Sequence, residues 1–319
     1  MRIGYTMMCE QRGPKDLVRD VVAAERAGFA FSVISDHYHP WVESQGHSPY
    51  AWAVLGAAAQ ATEWIGLMTY VTTPIMRYHP AVVAQKAATM ALLSDGRFRL
   101  GLGAGENLNE HVIGQRWPTV NIRHQMLTEA VEIISELFKG DYVNYQGDHF
   151  DVESAKLFDV PATPVPIGLA LSGPESAELA AEYGGLMIAT EPRAELIQMF
   201  HEAGGSGKPA VGQMVISWGP DAAAQRRLAH DNFGWSAGGW KIQSELPAPV
   251  NFQAFVDVVH EEDVTKTIVC GPDVDAIVEA AKKWADAGFD ELALVQAGDN
   301  QAEFCQFYQR ELGPRLARL

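Results

Sequence analysis

Residues 29–41, Phe29-Ala30-Phe31-Ser32-Val33-Ile34-Ser35-Asp36-His37-Tyr38-His39-Pro40-Trp41, decide the architecture. The first half is an apolar run, the composition of a buried strand. The second half gathers an acid, two imidazoles and an indole. In a parallel α/β fold, the carboxyl end of a strand is where side chains meet a ligand instead of packing a core. A second segment repeats the pattern. The apolar stretch Phe98–Leu102 runs into Gly101-Leu102-Gly103-Ala104-Gly105-Glu106-Asn107-Leu108-Asn109-Glu110. Two polar clusters after two strands point to one site.

Outward from these segments, short β-rich stretches alternate with longer helical ones. The strands expected are Ile3–Met7, Phe31–Ser35, Ile65–Val71, Phe98–Leu102, Pro166–Leu171, Leu186–Ala189, Val211–Ser217 and Glu291–Val295. Between them lie amphipathic helices such as Pro14–Ala27, with Leu17, Val18, Val21, Val22 and Ala24 at helical spacing, and Arg123–Phe138. Strands separated by helices imply right-handed βαβ units and a parallel sheet. About eight such units fit a (β/α)8 TIM barrel, here a single domain over residues 1–319. The rival is a doubly wound open sheet. Polar clusters after several different strands favour the ring. Two insertions, near 140–165 and 234–265, interrupt the repeat and are expected on the C-terminal face. The first reads as a hairpin around Gln146-Gly147-Asp148, the second as a long excursion of the kind that becomes a lid.

Composition narrows the partners. Of 319 residues, 47% are hydrophobic and 20% charged, ordinary for a globular protein, and no apolar run is long enough to cross a bilayer. The net charge of −16 disfavours a nucleic-acid partner, for want of a basic stripe to displace counterions. Any anionic ligand must be held by backbone N–H groups and a few chosen cations. Three cysteines, Cys9, Cys270 and Cys305, are widely spaced and suit a reducing cytoplasm better than a disulfide framework.

Each cluster carries two readings. His37 is a candidate acid–base group, or, with Asp36 and His39, a device for closing a turn. His37-x-His39 lacks the further ligands at convincing spacing that a metal needs. The glycines at 101, 103 and 105 are not a dinucleotide fingerprint, because position 106 is Glu and 107–117 reads as loop. They allow close backbone approach to a flat ligand, with Glu106 and Asn109 directed into the same space, or merely a tight strand exit. Ser172-Gly173-Pro174-Glu175-Ser176 before the helical Ala177–Tyr183 is either a phosphate seat at a helix N-terminus or an ordinary cap.

Taken together, Ser35–Trp41, Gln45-Gly46-His47-Ser48-Pro49, Thr73–Ala81, Gly103–Glu110 and Ser172-Gly173-Pro174 resemble the luciferase-like superfamily, in particular its coenzyme F420-dependent dehydrogenases. The resemblance spans essentially the whole chain. It implies a TIM barrel, usually homodimeric, with the 8-hydroxy-5-deazaflavin over the C-terminal mouth. Asp36, Tyr70, Val71, Thr73, Ala104, Gly105 and Asn109 would line the rings, with a cis peptide at Tyr70–Val71. Ser172, Gly173, Glu175 and Ser176 would meet the phosphate-bearing side chain. His37, Trp41 and Glu106 match the family's catalytic trio, with the division of labour between His37 and Glu106 left open. The implied reaction passes a hydride from the carbinol carbon of a sugar, sugar phosphate or secondary alcohol to C5 of the deazaflavin. The glucose-6-phosphate enzymes carry a phosphate-gripping lysine after the sixth strand. Here Ala189-Thr190-Glu191-Pro192-Arg193 has none, and Thr265 replaces a second lysine beside Lys266. Thr190, Arg193, Lys241 and Lys266 are the substrate-side candidates. The alternatives are a luciferase-like monooxygenase using reduced FMN, favoured less by the His37, Glu106 and Trp41 set, and a non-catalytic deazaflavin-binding barrel.

Overall fold

The computed structural model describes residues 1–319. Eight parallel strands close into a barrel: β1 (Arg2–Met7), β2 (Phe31–Ile34), β3 (Gly66–Thr69), β4 (Phe98–Leu102), β7 (Ile167–Ala170), β8 (Leu186–Ala189), β9 (Ala210–Ser217) and β11 (Glu291–Gln296). They pair in that order, and β11 returns to β1. Each expected strand becomes a stave. The largest difference lies at β3, whose regular ladder stops at Thr69 and resumes as a single Thr72–Leu102 bridge beyond the cis Tyr70–Val71 peptide.

The outer helices are α1 (Pro14–Ala27), α2 (Ala51–Ala61), α3 (Pro80–Leu93), α5 (Val120–Leu137), α6 (Pro174–Tyr183), α7 (Ala194–Phe200), α8 (Ala222–Phe233) and α12 (Val274–Asp286), with α13 (Gln301–Phe307) beyond β11. α1 shows why these segments are helical. Pro14 pre-sets the first turn, Leu17, Val21 and Ala24 bury one face, and Gly28 ends the helix at φ +94° while its N–H reaches back to Glu25 O. The main core, between staves and helices, holds 63 buried apolar residues. A separate cluster of Phe31, Val33, Met68, Tyr70, Leu186, Ile188, Val211 and Ala293 fills the bore, so the barrel is a packed body and ligands must bind at its end.

The two insertions differ in position. The first forms a hairpin, β5 (Val143–Gln146) and β6 (Asp151–Ala155), as expected. It leaves from the C-terminus of α5 and leads into β7, so it springs from the N-terminal face, which corrects the expectation of a C-terminal-face insertion. It folds back along α5, where the Glu129 carboxylate accepts the N–H groups of Asp148, His149 and Phe150. Only the second insertion reaches the mouth. Residues 234–265 fold into α9 (Trp240–Gln243), α10 (Pro249–Val256) and α11 (Glu261–Val264) before the short β10 (Val269–Cys270), which pairs with the end of β9.

Residues 107–117, expected as loop, open with a single helical turn, α4 (Asn107–Glu110), and a 3₁₀ turn at His111–Ile113. A turn this short has no periodicity to read. It is held from outside, the Asn107 N–H donating to Ser244 O of the second insertion.

Candidate active site

The imidazole of His37 sits at the exit of β2 with its Nδ1 2.7 Å from Glu10 Oε1. Glu10 follows β1 and is fully buried, and its other oxygen accepts from Ser35 Oγ at 2.7 Å. Burial alone pushes an imidazole pKa down. Here the Glu10 carboxylate, with a smaller contribution from Glu106, outweighs burial and holds His37 above its ordinary value. Burial likewise opposes the ionised Glu10, but the imidazole and the Ser35 hydroxyl win and keep it below its usual range. An imidazole oriented through Nδ1 by a carboxylate leaves Nε2 free to move a proton. Glu10 was missed in the sequence reading. The signal was present, since Met7-Met8-Cys9-Glu10 is another acid at the carboxyl end of a strand.

Asp36 is the hub beneath. Its Oδ2 accepts from Trp52 Nε1 (3.0 Å) and Thr72 Oγ1 (2.7 Å), its Oδ1 from Tyr78 Oη (3.1 Å), and Arg77 lies 3.4 Å away. The Asp36 carboxylate has no exposed surface and is fully taken up by these partners. Arg77 joins this hub to Glu110. It donates to Asp36 O at 2.6 Å, and its backbone N–H reaches Glu110 Oε2 at 2.8 Å. Burial pushes the Glu110 carboxyl up to about 7 despite the guanidinium.

Asn109 likewise has its polar atoms engaged by the protein. It is buried, and its Oδ1 accepts the N–H groups of Tyr38 (2.9 Å) and His39 (3.3 Å), while Nδ2 lies 3.5 Å from Glu106 Oε2. This side chain stitches the exit of β2 to the exit of β4 and draws His37 and Glu106 into one neighbourhood. His39 turns the other way, its Nδ1 on Leu108 O and its ring stacked on His111.

The glycines serve chain against chain. A Cβ on Gly103 would stand 2.7 Å from Val71 Cγ2, and one on Gly105, at φ +76°, 2.6 Å from Thr73 Cγ2. The exit of β3 therefore packs directly on the exit of β4. Val71 and Ala104 remain half-buried at the surface of this seam, while Thr73 and Gly105 lie beneath it. The Tyr70 side chain lies in the bore, and its hydroxyl donates across it to Ala189 O of β8 at 2.7 Å.

Trp41 is fixed from two sides. Its ring stacks on Trp235 of the second insertion (4.0 Å between centroids, 9°), meets the edge of Phe252, and presents an edge to His37 at 5.1 Å. Gln45 Oε1 holds its backbone N–H at 2.9 Å. The insertion is thus a cap over the mouth, latched by the buried Arg123, whose guanidinium reaches Glu245 Oε1 at 3.1 Å.

At the N-terminus of α6, the amides of Ser172 and Gly173 donate to Ser176 Oγ (3.0 and 3.1 Å). Two donors expected for a phosphate are therefore used internally, leaving the first-turn amides of Glu175 and Ser176 without an intrahelical acceptor. The Glu175 carboxylate turns aside to His124 at 2.9 Å. Among the substrate-side candidates, Thr190 and Arg193 follow β8 and are exposed, Lys241 is exposed on α9, and Lys266 lies against Asp263 at 2.7 Å.

The fold is a parallel eight-stranded barrel with this cluster at its carboxyl mouth, and the chain belongs to the luciferase-like monooxygenase family, whose model matches residues 1–291. Among curated relatives, the F420-dependent glucose-6-phosphate dehydrogenase of Tsukamurella paurometabola is 36% identical over all of this chain and 99% of its own. The enzyme of the same name from Segniliparus rotundus is 34% identical with the same coverage. Among solved structures, an F420-dependent secondary alcohol dehydrogenase in complex with an F420–acetone adduct superposes with a TM-score of 0.92 at 28% identity, covering 99% of this chain and 98% of that one.

Proposed function

We propose that this protein is a coenzyme F420-dependent dehydrogenase that oxidises an alcohol carbon of a sugar, sugar phosphate or secondary alcohol, with His37 and Glu106 as its acid–base pair. The observation that carries this reading is the Glu10–His37 contact beside Glu106 at the mouth. The residues fit a flat heterocycle. Val71 and Ala104 offer an apolar strip, and the first-turn amides of α6 offer a seat for the anionic side chain. When bound, the deazaflavin supplies a hydride acceptor at C5.

His37 Nε2 takes the hydroxyl proton as the carbinol carbon is oxidised, and Glu10 stabilises the imidazolium that forms. Glu106 holds the second proton position across the mouth. Trp41, immobilised by Trp235, fixes the edge against which the alcohol is placed. The capping insertion excludes bulk water.

The test is direct. His37→Ala and Glu106→Gln should each lower single-turnover F420 reduction by about 10²–10⁴-fold while F420 binding persists. Rates within a fewfold of wild type would refute the pair. F420 binding without reduction by any alcohol would favour a non-catalytic barrel, and oxygen-dependent turnover with reduced FMN would favour the monooxygenase.

We further propose that residues 1–319 act as one domain in a cytoplasmic homodimer. All three cysteines are unpaired, and α3 keeps Val82, Leu92 and Leu93 exposed. Sedimentation reads the oligomer. No helix is long and apolar enough to cross a membrane.

A further inference from the structure

We propose that the mouth of this barrel selects a neutral alcohol over a phosphomonoester, and that Glu191 and Glu195 are the residues that set this preference. The inference rests on the dehydrogenase reading above and concerns which member of the alcohol class the site takes.

A phosphomonoester dianion needs at least one cation not already committed to a carboxylate, held where the substrate's remote end lies. The segment leaving β8 is one place to find it, and there Arg193 is flanked by its own neighbours. Glu191 Oε2 lies 3.5 Å from its Nη1 and Glu195 Oε2 3.9 Å from its Nε. Two carboxylates around one guanidinium leave this loop with a net negative charge, whatever the strength of either exposed pair. Lys266, the other candidate, is folded onto Asp263.

Most of the remaining basic groups around the strand exits follow the same pattern. Arg12 lies between Asp20 and Asp299, Arg77 between Asp36 and Glu110, and Arg123 holds Glu245. Arg116 in the loop leaving β4 and Lys241 on the four-residue α9 stand exposed with no carboxylate partner, screened surface charges. Closer in, the Glu10 and Glu106 carboxylates face the single imidazole of His37, and the walls contributed by Trp41, Trp235 and Phe252 are aromatic carbon. A dianion entering here meets acid excess and apolar surface. A neutral hydroxyl-bearing carbon meets neither penalty.

The experiment compares F420 reduction by glucose, glucose 6-phosphate and cyclohexanol, each with and without excess inorganic phosphate, for the wild type and the Glu191→Gln/Glu195→Gln double variant. Neither glutamate belongs to the cofactor or acid–base set. For the wild type, a neutral substrate should have kcat/KM at least as high as glucose 6-phosphate, and phosphate should leave its KM unchanged. In the double variant the freed Arg193 should make phosphate competitive and lower the KM for glucose 6-phosphate on the order of tenfold. Wild-type preference for glucose 6-phosphate with competition by phosphate would overturn the proposal while leaving the dehydrogenase reading intact. A double variant still indifferent to phosphate would overturn the assignment to Glu191 and Glu195. F420 binding with no turnover of any of the three would sink both readings together.

Discussion

Replacing Glu10 by Gln removes the counter-charge of the proposed base and changes little else in shape. Its carboxylate oxygen lies 2.7 Å from His37 Nδ1 in a fully buried position. Taking about 4 Å between charge centres and an effective dielectric near 20, the attraction to an imidazolium is about 4 kcal/mol. In the wild type this attraction outweighs burial and lifts the His37 pKa. Without it, burial dominates, and the acid limb of the kcat/KM profile for alcohol oxidation should move to lower pH. The rate at the optimum should fall on the order of 10²-fold or more, because an amide cannot stabilise the imidazolium that forms as Nε2 takes the hydroxyl proton. The assay is F420 reduction across the pH range, with Glu10→Asp as the charge-conserving control. Stability supplies a second readout. His37, raised above 6.5, adds stability that is complete below that value and lost as pH rises through its folded pKa. Glu10, lowered below 4.5, adds stability present above that value and lost as pH falls through its folded pKa. The gap in melting temperature between wild type and Glu10→Gln should therefore be widest between those two values and narrow on both sides. An acid limb that stays in place or moves to higher pH, or an optimum rate within a fewfold of wild type, would refute the dyad.

Three further outcomes follow from the same geometry. Gly103→Ala drives a methyl into Val71, 2.7 Å away, and should destabilise the fold by about 1–3 kcal/mol and weaken F420 binding measured by fluorescence titration; unchanged affinity would remove Val71 from the cofactor wall. Glu110→Gln deletes a buried carboxyl whose pKa stands near 7, a group that costs the wild type stability progressively as pH rises from about 4.5 to 7. The melting temperature of the variant relative to wild type should thus increase from pH 5 to pH 8, and a flat difference would show that Arg77 fully compensates the charge. Glu245→Gln weakens the half-exposed latch on Arg123 by about 1 kcal/mol. Proteolysis within residues 234–248 should accelerate and KM for the alcohol should rise, whereas an unchanged cleavage rate would mean the cap is held elsewhere.

The barrel was legible because its strands combine apolar runs with polar exits, and its helices keep a clear buried stripe, as in Leu17, Val21 and Ala24 of α1. The hairpin at 143–155 was legible too, but its face was not. Composition marks an insertion, whereas the side from which it springs depends on whether a helix or a strand precedes it. The site was legible at the level of segments and blurred at the level of side chains. Spacing indicates which residues leave a strand together, not which of them other parts of the chain will consume. Asp36 is used up by Trp52, Thr72 and Tyr78, and Asn109 by the backbone of Tyr38 and His39. Glu10 had the opposite fate, an acid without motif companions that lands on the key imidazole.

These placements share one electrostatic consequence. The carboxylates of Glu10, Asp36, Glu106 and Glu110 surround His37 and Arg77, so the interior of the mouth carries acid excess, as the whole chain does at −16. Such a field raises the proton affinity of His37, which favours a base that must gain charge during the reaction. The same field repels a substrate that arrives already anionic. Basicity at His37 and indifference to phosphate are therefore two readings of one charge distribution. A site built to grip a dianion close to this imidazole would lower its proton affinity with the cations it added.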